Sequence, residues 1–261
     1  MTDFKTTYFN DGFVVVNDAV EPDLLDRLEA AGRRVVDKVR SGQVDVSGQG
    51  PNATGILGLI APEFAEPAFA EYLISAPITR YAEAFLGPEL RLGHVHLWCT
   101  ERPYDTGWHR DIGQPPVNYS EAEEMAILNQ PFVSLKWQTA LLDDPCLWVV
   151  PGSQRRYRTE PEAEVLFGNT RQPIPGGVQV DLQRGQTAFW NGKIIHRGHK
   201  PDDLERRLSV TGGLRRYDPQ EPMDYVGSDW EWRLSDRVRE ALPEKAQLYY
   251  DRWRGLPRDA N

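Results

Sequence analysis

Two short segments carry side chains able to hold a metal ion. The first, "GWHRDIGQ" at residues 107–114, places His109 and Asp111 two positions apart. In an extended segment residues i and i+2 project to the same side, so both can grip one cation while Arg110 points away. A facial metal site needs two imidazoles and one carboxylate, and it leaves adjacent coordination positions open. The chain has five histidines, His94, His96, His109, His196 and His199, so the second imidazole must arrive from elsewhere in the fold. His196 is the best placed, at the end of the strand-like run "GQTAFWNGKIIH" and just before a turn. Taken alone, H-x-D is a weak pattern. A surface His–Asp hydrogen bond is commoner, and a lone strand-end histidine is more often structural than a ligand.

The residues after His196 sharpen the reading. Arg207 comes eleven residues later and shares a strand face with Ser209 and Thr211 in "RRLSVTGGL". An inward arginine beside a small hydroxyl makes a bidentate clamp for a carboxylate. Arg206 reads as an ordinary solvated charge. His94 and His96 alternate with Val95 and Leu97, so both face one way, either as a polar stripe in a barrel mouth or as a hydrogen-bonded structural pair. His199 is expected in an exposed turn, and Trp108 and Trp190 in the wall and core. Lys136 and Gln138 share a face of one strand, with solvent the default for the lysine. Asp143 and Asp144 are expected to organise a turn before Pro145. Nothing else supports reading them as a glycosidase-like carboxylate pair.

Several elements must position these groups. "FVVV" at 13–16 reads as a strand, followed by a helix in which Pro22 suits the first turn, Leu24, Leu25, Leu28, Ala31, Val35 and Val39 share a face, and Gly42 closes the run. A second helical region spans roughly 67–86, with Ser75 expected to cap a restart at Ala76-Pro77 and Gly87 to end it. From Leu90 the chain becomes a series of short runs rich in Val, Ile, Leu, Thr and Trp, punctuated by Gly, Pro, Asn and Asp. Many short strands after N-terminal helices predict a β-sandwich or jelly roll with helices on one side. Helical periodicity returns only at 235–253, in a segment that either covers the barrel or pairs with a second copy.

Composition narrows the function classes. The net charge of −9, from 30 basic and 39 acidic residues, argues against nucleic acid and anionic membranes as main partners. Cys99 and Cys146 form no CxxC pair and no disulfide framework, which fits a reducing cytosol. The opening "MTDFKTTYFNDG" has neither a basic n-region nor an apolar h-region, and no segment approaches the apolar length of a membrane span. The expectation is a soluble, cytoplasmic protein acting on a small molecule, as a monomer or homodimer.

At this point the sequence resembles the phytanoyl-CoA dioxygenase-like branch of the Fe(II)/2-oxoglutarate-dependent oxygenases. The matching stretches are "DGFVVVNDAVEPDLLDRL" at the start, "WHRD" at 108–111, "LLDD…LWVVPGSQ" at 141–154 and "GQTAFWNGKIIHRGHKPDDLERRLSV" at 185–210. The resemblance implies a mainly β fold with added helices: a double-stranded β-helix, or cupin-like jelly roll, with N-terminal helices packed on one sheet. It implies one domain over 1–261, with a helical part to about 88, a core over about 89–216 and a helical extension beyond. His109, Asp111 and His196 match the iron ligands, and Arg207 matches the arginine that binds the distal carboxylate of 2-oxoglutarate. Ser209 is a second candidate for that carboxylate, and His96 lies on a strand that relatives use for cosubstrate contacts.

Such a triad holds Fe(II) and leaves three positions, two for 2-oxoglutarate and one for O2. Relatives that halogenate leave the carboxylate position vacant, so Asp111 favours hydroxylation, or else desaturation or ring closure. The chain departs from the family pattern at Gly198, where relatives often place a small hydroxyl, at Gln154 in place of the usual histidine, and in the short loop "LDDPCLW". The last two are expected to affect substrate contacts more than the chemistry. The other readings are a cupin-like hydrolase or isomerase without 2-oxoglutarate, and a non-catalytic ligand-binding jelly roll. The loops "SGQVDVSGQGPNATG", "IGQPPVNYSEAEEM" and "LFGNTRQPIPGG" are candidate pocket walls. Their acids Asp45, Glu121, Glu123 and Glu124 point to a polar substrate such as an amine-bearing sugar or another secondary metabolite, or else simply solvate the loops.

Overall fold

The structure, a computed structural model, describes residues 4–112 and 117–258. Helix α1 (Phe4–Asp11), strand β1 (Phe13–Val16) and helix α2 (Pro22–Arg40) open the chain, followed by β2 (Gly55–Ile56), α3 (Ala68–Ile74) and α4 (Ala76–Leu86). The middle comprises β3 (Leu90–Thr100), β4 (Tyr104–Asp105), α5 (Glu121–Leu128), β5 (Ser134–Ala140), β6 (Asp144–Val150) and α6 (Glu160–Phe167). Strands β7 (Val178–Leu182), β8 (Thr187–Trp190), β9 (Ile195–Lys200) and β10 (Arg207–Arg216) complete the β region, and α7 (Asp236–Ala241) and α8 (Glu244–Arg254) close the chain.

Helix α2 follows its pattern closely. Leu24, Leu25, Leu28, Ala31, Val35 and Val39 are all buried, Pro22 lies in the first turn, and Gly42 leaves the helix at φ +73°, where a side chain would be strained. The region at 67–86 is two helices. Ser75 stands at their junction, but its hydroxyl donates to Tyr72 O at 3.0 Å and caps nothing in α4. The C-terminal periodicity also splits, because Pro243 lacks an N–H and its ring cannot continue a helix. Helix α5 falls largely in a segment read as a loop, and α6 ends where another such segment begins. Each opens with a reciprocal capping box, Ser120 with Glu123 and Thr159 with Glu162, a local signal legible in the sequence.

Among the described residues, ten strands form two antiparallel sheets, ordered β1-β8-β5-β10-β3-β2 and β4-β9-β6-β7. Side chains alternate across the larger sheet. Leu208, Val210 and Leu214 of β10, with Val95 and Leu97 of β3, join the main core beneath the helices. Arg207, Ser209 and Thr211 take the opposite, barrel-facing side, as do His94 and His96. Between the sheets, Leu147, Val149, Val180, Leu182, Ala188 and Trp190 pack together at one end of the barrel. Tyr249, Tyr250 and Trp253 of α8 are buried in the main core, so this helix covers the larger sheet. No helix among the described residues is long and apolar enough to cross a membrane.

Candidate metal centre

His109 follows β4 and pairs with His196 of β9 in an isolated antiparallel bridge, each amide donating to the other's carbonyl at 2.9 Å. Directly opposed residues project to the same face, so the imidazoles meet with ring centroids 4.4 Å apart. Asp111 reaches the same point. Its Oδ1 lies 3.8 Å from His109 Nε2 and its Oδ2 3.9 Å from His196 Nε2. One ligand atom from each of the three side chains lies within 4.8 Å of the others.

The surroundings prepare these donors. His109 Nδ1 lies 2.8 Å from Gly107 O, and His196 Nδ1 lies 2.9 Å from Ile194 O. A carbonyl at Nδ1 fixes the proton there and leaves the Nε2 lone pair toward the cation. The Asp111 amide donates to Gly192 O at 2.8 Å, and a Cβ at residue 192 would lie 2.7 Å from Asp111 Oδ2. Glycine at this position makes room for the carboxylate. Arg110 points away as expected and is buried, donating to Ser153 O and Lys193 O, both at 2.9 Å. Ser153 of the "PGS" turn accepts the Ile195 amide at 2.8 Å, which secures the strand beside His196.

Burial raises the Asp111 carboxyl, but the Lys136 ammonium, together with His196 and His109, outweighs it and holds the group well below the usual carboxylate range. Burial brings His196 down to about 4, so the imidazole stays neutral and available as a ligand. Lys136 does not point into solvent: its Nζ reaches Asp111 Oδ2 at 2.5 Å and lies over the Trp190 ring. A carboxylate with two imidazoles is a donor set that suits Fe(II).

From Asp111 a polar path crosses the barrel floor. Thr211 pairs with His96 on one side and Gln138 on the other, one row beyond Lys136. His96 Nε2 and Thr211 Oγ1 are buried without a hydrogen-bond partner, an expensive state that a polar ligand between the metal and Arg207 would relieve. Burial brings His96 down to about 3. His94 is tied through Nδ1 to the Tyr225 hydroxyl at 2.9 Å. At the far end Arg207 is buried, with its guanidinium over Trp98 and Tyr104. The structure therefore brings His109, Asp111 and His196 to one point and places His96, Ser209 and Arg207 along one wall. His199 lies outside this set, bonded to Asp105 at 3.1 Å, and Arg206 pairs with Glu101 at the surface.

A family model described as phytanoyl-CoA dioxygenase matches residues 8–201. The chain belongs to the phytanoyl-CoA dioxygenase family. It is an oxidoreductase of the Fe(II)- and 2-oxoglutarate-dependent class. No curated protein matches it. Solved structures share the fold at low identity. AviO1 from Streptomyces viridochromogenes Tue57 is 20% identical, with a TM-score of 0.58 over 84% of this chain and 96% of that one. HygX from Streptomyces hygroscopicus, solved with nickel and 2-oxoglutarate, is 14% identical, with a TM-score of 0.64 over 88% and 94%. EctD from S. alaskensis, solved with 2-oxoglutarate and 5-hydroxyectoine, is 17% identical, with a TM-score of 0.59 over 81% and 74%.

The departures from the phytanoyl-CoA dioxygenase pattern acquire physical meaning here. At Gly198 a Cβ would lie 2.9 Å from the Tyr104 ring, so the tyrosine fills the space of the usual hydroxyl. Gln154 does not face a substrate cavity; its amide donates to Phe9 O and Asn10 O, both at 3.2 Å, and ties α1 to the turn. The short loop bears on Arg207. Asp143 does serve its turn, accepting the Arg184 amide at 2.8 Å, whereas Asp144 is wholly buried against Arg207 at 3.0 Å.

Proposed function

We propose that this oxygenase holds Fe(II) with His109, Asp111 and His196, binds 2-oxoglutarate along the row from Lys136 to Arg207, and hydroxylates an unactivated C–H bond of a polar small molecule, with residues 1–261 acting as one catalytic domain. The observation that carries the reading is the convergence of three ligand atoms, with both imidazoles already presenting Nε2. When bound, iron and 2-oxoglutarate with O2 supply an oxidant able to remove hydrogen from such a bond. The chain's own residues do the rest. Asp111 supplies the negative charge, the Gly107 and Ile194 carbonyls keep the imidazoles aimed, and His96, Thr211 and Ser209 orient the cosubstrate against Arg207. The ligand-bound relatives HygX and EctD support the choice of cosubstrate. The retained carboxylate at 111 supports hydroxylation over halogenation.

The cavity beside Asp111, about 270 Å³, is lined by Lys136, Asn191, Gly192, Lys193, Arg215 and Tyr225, among others. None of the loop acids that pointed to an amine-bearing substrate lines it. Glu124 is buried against Arg158 and Arg110, Glu123 serves its capping box, and Asp45 accepts the Gln49 and Gly50 amides. Residues 113–116, in the second of those loops, lie outside the described residues. Arg215 is already paired with Asp224 at 3.3 Å, so with Lys136 and Lys193 on the wall and the charge of Asp111 taken up by a metal, the cavity favours a hydroxyl-rich neutral or anionic molecule. Anaerobic Fe(II) and 2-oxoglutarate are expected to give a visible charge-transfer band, absent in His109→Ala. Under O2, succinate release should be stimulated by neutral or anionic metabolites in a panel that also holds cationic ones. Absence of both band and succinate would refute the reading. Product analysis separates hydroxylation from desaturation or ring closure.

A further inference from the structure

The cradle formed by Arg207 and Ser209 already contains a carboxylate of the protein itself. Asp144 Oδ2 accepts from Arg207 Nε at 3.0 Å, from Gln138 Nε2 at 2.8 Å and from the Ser209 hydroxyl, while Oδ1 accepts from the Cys146 amide at 2.9 Å. Arg207 Nη2 is taken by Gln138 Oε1 at 3.1 Å. Neither Asp144 nor Gln138 engages Nη1, and the Tyr104 hydroxyl also interacts with the guanidinium. The hydroxyl and arginine that would meet an incoming carboxylate are thus engaged in advance by a buried residue with the same functional group. A bulge in β6 between Asp144 and Leu147 places Asp144 there.

We infer that Asp144 is the residue that sets cosubstrate affinity and selectivity at this end of the barrel, an inference that rests on the proposed use of 2-oxoglutarate. Before binding, Asp144 compensates Arg207, which would otherwise be an unpaired buried cation, and fixes its orientation. On binding, the distal carboxylate of the 2-oxo acid must share one guanidinium with Asp144 and approach it from the Nη1 side. Two carboxylates close together in a weakly screening interior repel, so part of the attraction of Arg207 is cancelled. Lys200 adds a second buried positive charge on this side of the barrel. Lys200 lies on the same face of β9 as His196 and Gly198, and it and Arg207 both act against the burial and the Asp144 charge that raise the Cys146 thiol. Arg207 against Asp144 leaves this pair near neutrality, so an incoming carboxylate meets little net attraction from it. The site therefore admits 2-oxoglutarate but discriminates modestly for its distal charge.

The test is calorimetric titration of Mn(II)-loaded protein, without O2, with 2-oxoglutarate, its distal carboxamide 2-oxoglutaramate, and 2-oxobutanoate, which lacks the distal group. Asp144→Asn keeps the shape and an acceptor oxygen while removing the charge. It is expected to bind 2-oxoglutarate about tenfold more tightly, with 2-oxobutanoate unchanged. Unchanged or weaker 2-oxoglutarate binding by folded Asp144→Asn would overturn the inference. Should the variant fail to fold, the wild type decides: a preference for 2-oxoglutarate over the carboxamide below about tenfold supports the role of Asp144, and a larger preference overturns it. If Mn(II) binds but none of the three oxo acids does, the cosubstrate reading itself falls, an outcome distinct from any of these.

Discussion

His109 and His196 are held in register by their own backbones, each donating its amide to the other's carbonyl at 2.9 Å. Main-chain pairing therefore brings the two imidazoles together. His109→Ala should leave the fold intact, with a melting temperature within a few degrees of wild type, while Mn(II) affinity falls by at least about a hundredfold. Thermal melts and metal titration of the same sample check both halves. A variant that keeps its affinity removes His109 from the centre.

Gly192 is expected to be as intolerant as a ligand although it donates nothing. A methyl group there would lie 2.7 Å from Asp111 Oδ2 and 3.2 Å from Asp111 Cβ, so the carboxylate must move. Gly192→Ala should weaken divalent-metal affinity between about ten- and a hundredfold with little change in melting temperature.

On the proposed ligand set Lys136 is expected to compete with a metal for Asp111, since its ammonium lies 2.5 Å from Oδ2. A divalent ion arriving at the carboxylate meets that positive charge. Lys136→Met should bind Mn(II) about tenfold more tightly than wild type, read by competition with a chelating dye. Weaker binding would mean that the lysine positions Asp111 more than it opposes the metal.

Three buried histidines make stability depend on pH. Burial holds His94 well below its ordinary value and brings His96 to about 3 and His196 to about 4, whereas in the unfolded chain each titrates near about 6.5. Below that value the unfolded chain takes up protons that the folded one refuses. The stability these groups allow is complete above pH ~6.5 and is lost as the pH falls toward the folded values, at about 1.4 kcal/mol per group per pH unit. The melting temperature of metal-free protein should fall steadily from pH 6.5 to 4.5. In His96→Leu the slope should be shallower, and an equal slope would show that His96 does not titrate in this range.

Local signals in the sequence determined much of this protein. Apolar spacing and Pro22 and Gly42 marked α2, alternation marked which strand residues share a face, and the motifs around His109, Asp111, His196 and Arg207 carried the family resemblance and the candidate metal site. The capping boxes of α5 and α6 were equally local, and reading apolar periodicity alone passed over them. Tertiary structure decided what each inward side chain meets. Alternation put Lys136 and Gln138 on one face without indicating whether solvent or Asp111 lay opposite. It gave no means of knowing that a bulge in β6 would carry Asp144 from an expected turn into the cradle of Arg207. Side-chain direction follows from the backbone repeat of a single strand, whereas electrostatic partners depend on how two sheets close over one another, and that register is set by contacts between residues far apart in the chain.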